Sequence, residues 1–329
     1  MRKKFIALAL SAMLFALSLS AQAQQPKKIP RIGYVSGVGD PNTPGPQVEA
    51  FRQGLRELGY TEGKNILVDY RYAEGKQERY QNFVAELVQL KVDVLIVTNP
   101  AAIRAAVQAT KAIPIIMVTT EDPVTTGIVQ SLARPGGNIT GLSRLTRELS
   151  GKRLELFKEV LPGISRVGIL GDAATPVEMK PLKYYEPAAR ALKIKLQSLD
   201  VFGPNPDFEG AFQAAPNGRG SAIIASRSAL LIRYRKRIAD LAIKKRLPLM
   251  AEGIDYVEAG GLMSYSADDA ENHRRAAYYV DRILKGTKPA DIPIEQPTKF
   301  DFVINLKTAK ALGLTLSPNI LARADKVIK

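Results

Sequence analysis

Polar residues suited to binding a small molecule cluster in the stretch VTTEDPVTTG, which begins at Val118. An apolar run ends there in two hydroxyls, two carboxylates and a proline. In open parallel sheets, ligands bind beyond the carboxyl ends of the strands, where the next helix begins. Asp122 before Pro123 has the form of a helix N-cap followed by a first-turn proline, so its carboxylate has a structural use as well as a ligand-binding one. Thr119 and Thr120 have no such local use and are predicted to contact a ligand.

The sequence lacks the residues that most kinds of enzyme catalysis require. The chain has no cysteine and one histidine, which excludes thiol catalysis and zinc sites of the usual kinds. His273 has charged neighbours in a helical pattern and is predicted to be a surface residue. No serine elbow or complete nucleotide-binding glycine motif is present. Asp122 and Glu252 form a conceivable glycosidase-type pair, but no spacing supports it, so we expect no catalytic residue, metal or cofactor.

Apolar strand-like runs alternate with amphipathic helical patterns along the whole chain. The helical stretch 47–60, for example, repeats apolar residues every three or four positions and stops at Gly59. This alternation predicts an α/β fold, and two series separated by Pro135-Gly136-Gly137 predict two Rossmann-like, doubly wound parallel-sheet lobes. The predicted strands are 31–36, 65–72, 92–98 and 113–120, then 166–170, 193–201, 221–226, 248–252 and 261–266.

The first residues have the layout of a secretory signal peptide. Basic residues at 2–4 precede an apolar run over 5–19 and the small-residue site Ala21-Gln22-Ala23. A transmembrane anchor is the alternative, but the run is shorter than the roughly 20 residues that a spanning helix needs. We therefore expect residues 1–23 to be cleaved after Ala23 and the mature protein to be periplasmic. The 306 residues that remain suggest two domains.

The chain is strongly basic, with a net charge of +15 and a pI near 9.8. A basic protein often binds nucleic acid, but the predicted export argues against that partner. One dense basic run, RYRKRIADLAIKKR over 233–246, is predicted to be a solvated helix face. A docking surface or a contact with anionic lipid is the alternative for this run.

Several stretches resemble a known family. TTEDPVTTGIVQSLARPGGNITGLS, over 119–143, is similar to a signature of ABC transporter substrate-binding proteins, in the class that includes bacterial tryptophan/tyrosine-binding proteins. Further similar stretches lie at 51–66, 78–97 and 283–314. The resemblance implies a periplasmic binding protein type I-like fold, in which crossover strands join two lobes that close on a ligand. The sequence departs from the aromatic-amino-acid binders at Arg227-Ser228, where Arg227 could hold a carboxylate with two hydrogen bonds.

With this resemblance we expect lobe 1 over 31–140 plus 267–285, and lobe 2 over 144–265. Residues 286–329 hold a crossover segment at 300–306 and C-terminal helices, with their lobe left open. The two lobes should present polar strand ends to a shared cleft. The candidate ligand-binding residues are Ser36, Thr98, Asn99, Thr119, Thr120 and Asp122 in lobe 1, Asp172, Ser226, Arg227 and Glu252 in lobe 2, and Tyr265 and Ser266 at a crossing.

These expectations combine into a solute-binding component of an ABC importer. Its predicted partners are a small-molecule ligand and an ABC permease in the inner membrane, and it is expected to be a monomer. The first candidate ligand is an amino acid or a related carboxylate-bearing compound. A periplasmic ligand-sensing protein for a membrane receptor is the alternative, and a carboxylate-dependent enzyme is a more distant one.

Overall fold

The computed structural model describes residues 28–175, 180–203 and 205–329, and within them the chain forms two separate β-sheets. The predicted signal peptide lies outside the described residues. The first sheet contains β1 (Arg31–Ser36), β2 (Leu67–Tyr72), β3 (Val94–Val97), β4 (Ile115–Thr119) and β5 (Ile139–Ser143). The second contains β6 (Arg166–Asp172), β7 (Lys195–Val201), β8 (Ser221–Ala225), β9 (Leu249–Ala251), β10 (Met263–Ala267), β11 (Phe300–Asn305) and β12 (Lys326–Ile328).

Both sheets follow the same winding rule. The first has the order β2-β1-β3-β4-β5 with every neighbouring pair parallel. The second has the order β12-β11-β10-β9-β8-β6-β7, so its first five strands in the chain repeat that pattern. Only the β10–β11 pair is antiparallel among the described strands. In each sheet the order reverses beside the first strand, which is where doubly wound sheets form their ligand crevice.

Helices cover both faces of each sheet, as continuous apolar strands require. The helices are α1 (Pro46–Glu57), α2 (Arg79–Gln89), α3 (Pro100–Ala109), α4 (Ser150–Val160), α5 (Pro181–Ala191), α6 (Phe208–Ala214), α7 (Ala229–Arg233), α8 (Arg235–Lys244), α9 (Ile254–Glu258), α10 (Asp269–Leu284), α11 (Leu306–Ala311) and α12 (Pro318–Ala322). A 3-10 turn at Pro289–Asp291 follows α10.

Helix α10 follows a strand of the second sheet but packs on the first. Its residues Ala276, Ala277 and Val280 share one buried cluster with Phe51 and Leu55 of α1. The two helices approach so closely that a side-chain carbon added at Gly54 would lie 2.4 Å from a backbone oxygen of α10. A glycine is therefore required at this contact.

The chain passes between the sheets three times. It leaves β5 for α4 and β6 of the second sheet, and it returns to the first sheet between β10 and α10. Residue Glu295 then lies beside β5, with its N–H donating to the Gly141 oxygen at 3.1 Å, before β11 joins the second sheet. The C-terminal helices and β12 continue in the second sheet.

The predicted fold class, two doubly wound parallel-sheet lobes, is confirmed. Strand β5 was not predicted, because ITGLS reads as the continuation of a glycine-rich turn. The helix predicted to begin at Pro123 is wrong: residues 123–127 form a hydrogen-bonded turn that does not propagate. In the part of the chain that the structure describes, no helix is long and apolar enough to cross a membrane.

Candidate functional site

A cavity of about 90 Å³ lies between the carboxyl ends of the two sheets. It adjoins wider cavities of about 660 and 460 Å³, with which it shares lining residues. Half of the predicted site residues line it, namely Ser36, Thr98, Asn99, Thr120, Asp172 and Arg227. The structure places the other half outside its lining, namely Thr119, Asp122, Ser226, Glu252, Tyr265 and Ser266.

The wall from the first sheet consists of short polar side chains at strand ends. Ser36 ends β1 and its hydroxyl donates to the Val38 oxygen at 2.6 Å. The Thr98 hydroxyl donates to the Val35 oxygen at 3.2 Å. Asn99 caps α3, since its Oδ1 accepts from Ala101 N at 2.8 Å. These bonds fix the side chains at the edge of the cleft. The hydroxyl and amide groups keep further hydrogen-bond donors or acceptors that a ligand could use.

Thr119 and Asp122 are engaged in the loop that they belong to. The Thr119 hydroxyl is fully buried and accepts from Glu121 N at 3.0 Å. The Asp122 carboxylate accepts from Val124 N at 2.9 Å and from the Thr125 hydroxyl at 2.7 Å. The predicted capping use of Asp122 is therefore present, but what it caps is an isolated turn.

Glu252 lies behind the cavity in a fully enclosed polar cluster. Its carboxylate accepts from the Tyr185 hydroxyl at 2.9 Å and from Arg227 N at 2.8 Å. Two arginines approach it, with Nη1 of Arg153 at 3.7 Å and Nη1 of Arg147 at 3.8 Å. The Glu252 carboxylate therefore links the end of β9 to Tyr185 of α5 and to the backbone after β8.

Tyr265 and Ser266 lie on β10 at the return crossing. The Tyr265 carbonyl accepts from Arg153 Nε at 2.7 Å, and its ring packs 5.9 Å from that of Phe300. Ser266 is buried opposite Asp301 of β11. Ser226 is likewise buried, and its carbonyl accepts from the Tyr256 hydroxyl at 2.9 Å.

A buried ion network connects the two lobes at the cleft. Arg227, which follows β8, pairs with Asp255 at 2.7 Å and with Asp269 at the start of α10. Asp269 also lies 3.3 Å from Nε of Arg144, which follows β5. Burial alone would lower the pKa of Arg227, but the carboxylates of Asp269 and Asp255 raise it above its ordinary value. Arg227 is thus a permanently charged contact between the lobes.

His273 is buried at the cavity, so its prediction as a surface residue is wrong. Its Nδ1 lies 2.7 Å from the Tyr34 hydroxyl and its Nε2 lies 3.0 Å from Nη2 of Arg144. A guanidinium only donates, so Nε2 accepts and Nδ1 carries the hydrogen. The physical reason is helix phase: His273 lies three and four residues before Ala276 and Ala277, on the face of α10 that packs against the first sheet. This three- and four-residue spacing was the feature of the sequence that could have predicted a buried His273.

The neutral state of His273 predicts a pH dependence of stability. Burial, and after it Arg144, hold the pKa of His273 well below its usual value of 6.5. As pH falls through about 6.5, the unfolded chain takes up this proton first, and the free energy of unfolding falls. The expected contribution is up to about 1.4 kcal/mol per pH unit below that point. Urea unfolding of wild type and His273→Gln between about pH 7.5 and 5 measures this contribution. If the free energy of unfolding changes with pH equally in the two proteins, His273 is not a buried neutral residue.

Four charged residues of the cavity wall were not predicted. Glu121, in the loop after β4, is buried and pairs with Arg104 of α3 at 3.3 Å. Arg144 and Arg147, from the first crossing, also line the cavity. The position of Arg144 and Arg147 in the sequence could have indicated their role. They follow the glycine signature, which leads directly into a crossing where both lobes meet. Across the cleft, Gln77 Nε2 donates to Asp172 at 3.3 Å.

Two lobes of this winding, with a polar cavity at the facing strand ends, define a periplasmic binding protein type I-like structure. The chain belongs to the family described as ABC transporter substrate binding protein, whose model matches residues 44–328. The predicted family resemblance is confirmed.

Similar proteins support this placement. A tyrosine-binding protein of Clostridioides difficile (strain R20291) is 25% identical over 278 residues, which cover 81% of this chain and 76% of that protein. A crystal structure of a conserved domain protein from Vibrio cholerae is 29% identical, with a TM-score of 0.82 over 91% of this chain and 100% of the other. An ABC domain from Streptococcus pneumonia in complex with L-Trp is 24% identical, with a TM-score of 0.81 over 91% and 99% of the two chains.

Proposed function

We propose that the protein captures an amino acid or a related carboxylate-bearing compound between its lobes and presents it to an ABC importer. The observation that carries this proposal is the cavity, which both sheets wall with polar and charged strand ends. Family membership supports a solute-binding role, and relatives that bind tyrosine and L-Trp support the ligand class. The ligand-binding residues of the proposal are the six predicted ones that line the cavity.

The setting that we propose is the periplasm, with a permease in the inner membrane as partner. Membership of the ABC substrate-binding family supports this setting, as does the layout of residues 1–23. We also propose that the lobes comprise 31–140 plus 267–285, and 144–265. The strands of 286–329, which pair with the second sheet, favour placing the C-terminal segment with the second lobe.

Ligand capture in this arrangement would work by closure of the lobes. The Arg227–Asp269 ion pair and the Gln77–Asp172 hydrogen bond join groups from opposite sides of the cleft. A ligand that contacts both sides adds to these bonds only when the lobes are closed, so it stabilises the closed state. The proposal includes no chemical step: the solute would be released unchanged, and mass spectrometry of incubated candidates would detect any product.

A thermal-shift screen tests the proposed function directly. The full mature chain is mixed with amino acids, small peptides, organic acids and sugars in separate wells. A ligand present at 100 times its Kd should add about 2.7 kcal/mol to the free energy of unfolding. We expect amino acids or carboxylates to raise the melting temperature and sugars to leave it unchanged. A shift with sugars alone would overturn the ligand class, and no shift with any solute would overturn the function.

A further inference from the structure

Most charges around the cleft are matched within the protein. Arg227 has two carboxylate partners, Asp255 and Asp269. Arg153 donates to two carbonyls, those of Tyr265 at 2.7 Å and Thr146 at 2.5 Å, and lies near a carboxylate besides. These groups have what a buried charge needs, namely an opposite charge or a full set of hydrogen bonds.

Arg147 has a weaker set of partners: one carboxylate near the limit of ion-pair distance, and no hydrogen bond from its Nε or Nη1 among the described residues. Its side chain is 6% exposed and lines the cavity, yet its Nε and Nη1 make no hydrogen bond within the described part of the chain. Its nearest carboxylate, Glu252, is 3.8 Å away and already accepts from Tyr185 and from the Arg227 backbone. Its guanidinium also lies over the Tyr184 ring, 5.4 Å from the ring centroid. A buried guanidinium with unmade bonds is costly unless an acceptor fills them.

Asp172 is the opposite case on the same cavity. It is 5% exposed, and its carboxylate accepts from Ala174 N at 3.0 Å, from Gln77 at 3.3 Å and from the Ser228 side chain. Among the described residues no lysine, arginine or histidine pairs with it within 4.0 Å. Burial raises the pKa of Asp172 above its ordinary value, so a cation bound beside it would favour its ionised form.

We propose that Arg147 and Asp172 bind the two charged ends of a zwitterionic ligand, with the carboxylate on Arg147 and the ammonium group on Asp172. The assignment rests on the proposed solute-binding function and narrows its ligand class to compounds that carry both groups. A planar guanidinium offers two parallel N–H donors to a carboxylate, and a carboxylate offers acceptors to an ammonium group. Asp122 and Glu252, the other two acidic residues among the predicted ligand-binding residues, lie outside the cavity lining, whereas Asp172 is part of it.

Calorimetric titration with three matched ligands tests each charged end separately. The ligands are the tightest binder among the twenty standard amino acids, its decarboxylated amine and its deaminated acid. Arg147→Gln should weaken binding of the amino acid and of the deaminated acid by about 30-fold or more, and leave binding of the amine unchanged. Asp172→Asn should weaken binding of the amino acid and of the amine, and leave binding of the deaminated acid unchanged.

Two control variants separate these effects from the general loss of charge. Arg134→Gln and Asp240→Asn remove the same charges from exposed side chains and should bind all three ligands as the parent does. If Arg147→Gln does not fold, Arg147→Lys keeps the charge, loses the paired donors, and should show the same ligand selectivity with a smaller loss. Uniform losses across the three ligands, or none, would overturn the assignment.

The panel also includes organic acids and sugars, so that the two proposals can fail separately. If organic acids or sugars bind and no amino acid does, the zwitterion assignment is wrong and the solute-binding function stands. If no solute of any class binds, both proposals are wrong.

Discussion

Replacing Glu252 with alanine is expected to lower the free energy of unfolding by about 3–5 kcal/mol. The side chain is fully buried, and its two oxygens accept from the Tyr185 hydroxyl and the Arg227 N–H. The change leaves both donors without an acceptor. It also removes the carboxylate nearest to Arg153 and Arg147, which stay buried as cations. Breaking a buried charged cluster from one side costs more than the cluster contributes, because the remaining charges stay desolvated.

Urea unfolding followed by circular dichroism measures this loss. The matched control is Glu159→Ala, which breaks an ion pair with Arg323 whose side chains are 40% and 49% exposed. Exposed pairs contribute about 0–1 kcal/mol, so the control should unfold almost like the parent. A loss for Glu252→Ala no greater than that of the control would show that the cluster is solvated, and the structural role given to Glu252 would be wrong.

The sequence predicted the sheets well because buried parallel strands leave a strong local signal. VDVLIVT, for example, has no polar alternation, and only a strand covered on both faces needs such a run. Strand β5 left a weak signal, since ITGLS is short and contains a glycine. Its pairing with β4 is set by tertiary contacts that no local pattern records.

The candidate site was harder to predict because strand ends alone do not decide which polar groups face the cavity. Asp172 ends β6 and Glu252 follows β9, both at the carboxyl edge of the second sheet, yet Asp172 lines the cavity and Glu252 is enclosed behind it. The difference depends on Arg153, which reaches Glu252 from a helix about 100 residues earlier in the chain. His273 was mistaken because charged neighbours outweighed the three- and four-residue spacing of apolar residues after it.

Replacing Gly141 with alanine is the second change expected to have a large effect, at about 3 kcal/mol or more of the free energy of unfolding. Gly141 lies in β5 opposite Met117 of β4, with a φ of +143°. A Cβ at this position would lie 2.0 Å from the Met117 oxygen and 2.6 Å from its nitrogen. Both atoms are backbone, so no side-chain rotation relieves the overlap, and β4 and β5 must separate.

Gly137→Ala is the control for the backbone angle alone. Gly137 has a φ of +61°, and an added Cβ there meets nothing within 4 Å. Its expected loss is therefore only the cost of a left-handed alanine, about 1–2 kcal/mol. Urea unfolding of the two variants separates steric overlap from backbone strain, and equal losses would show that β5 can move aside.

Because Ser143 pairs with Thr119 and Arg144 follows it into the cavity wall, separating β5 from β4 should also displace the site. Gly141→Ala should then weaken ligand binding even at temperatures where the variant stays folded, whereas Gly137→Ala should not.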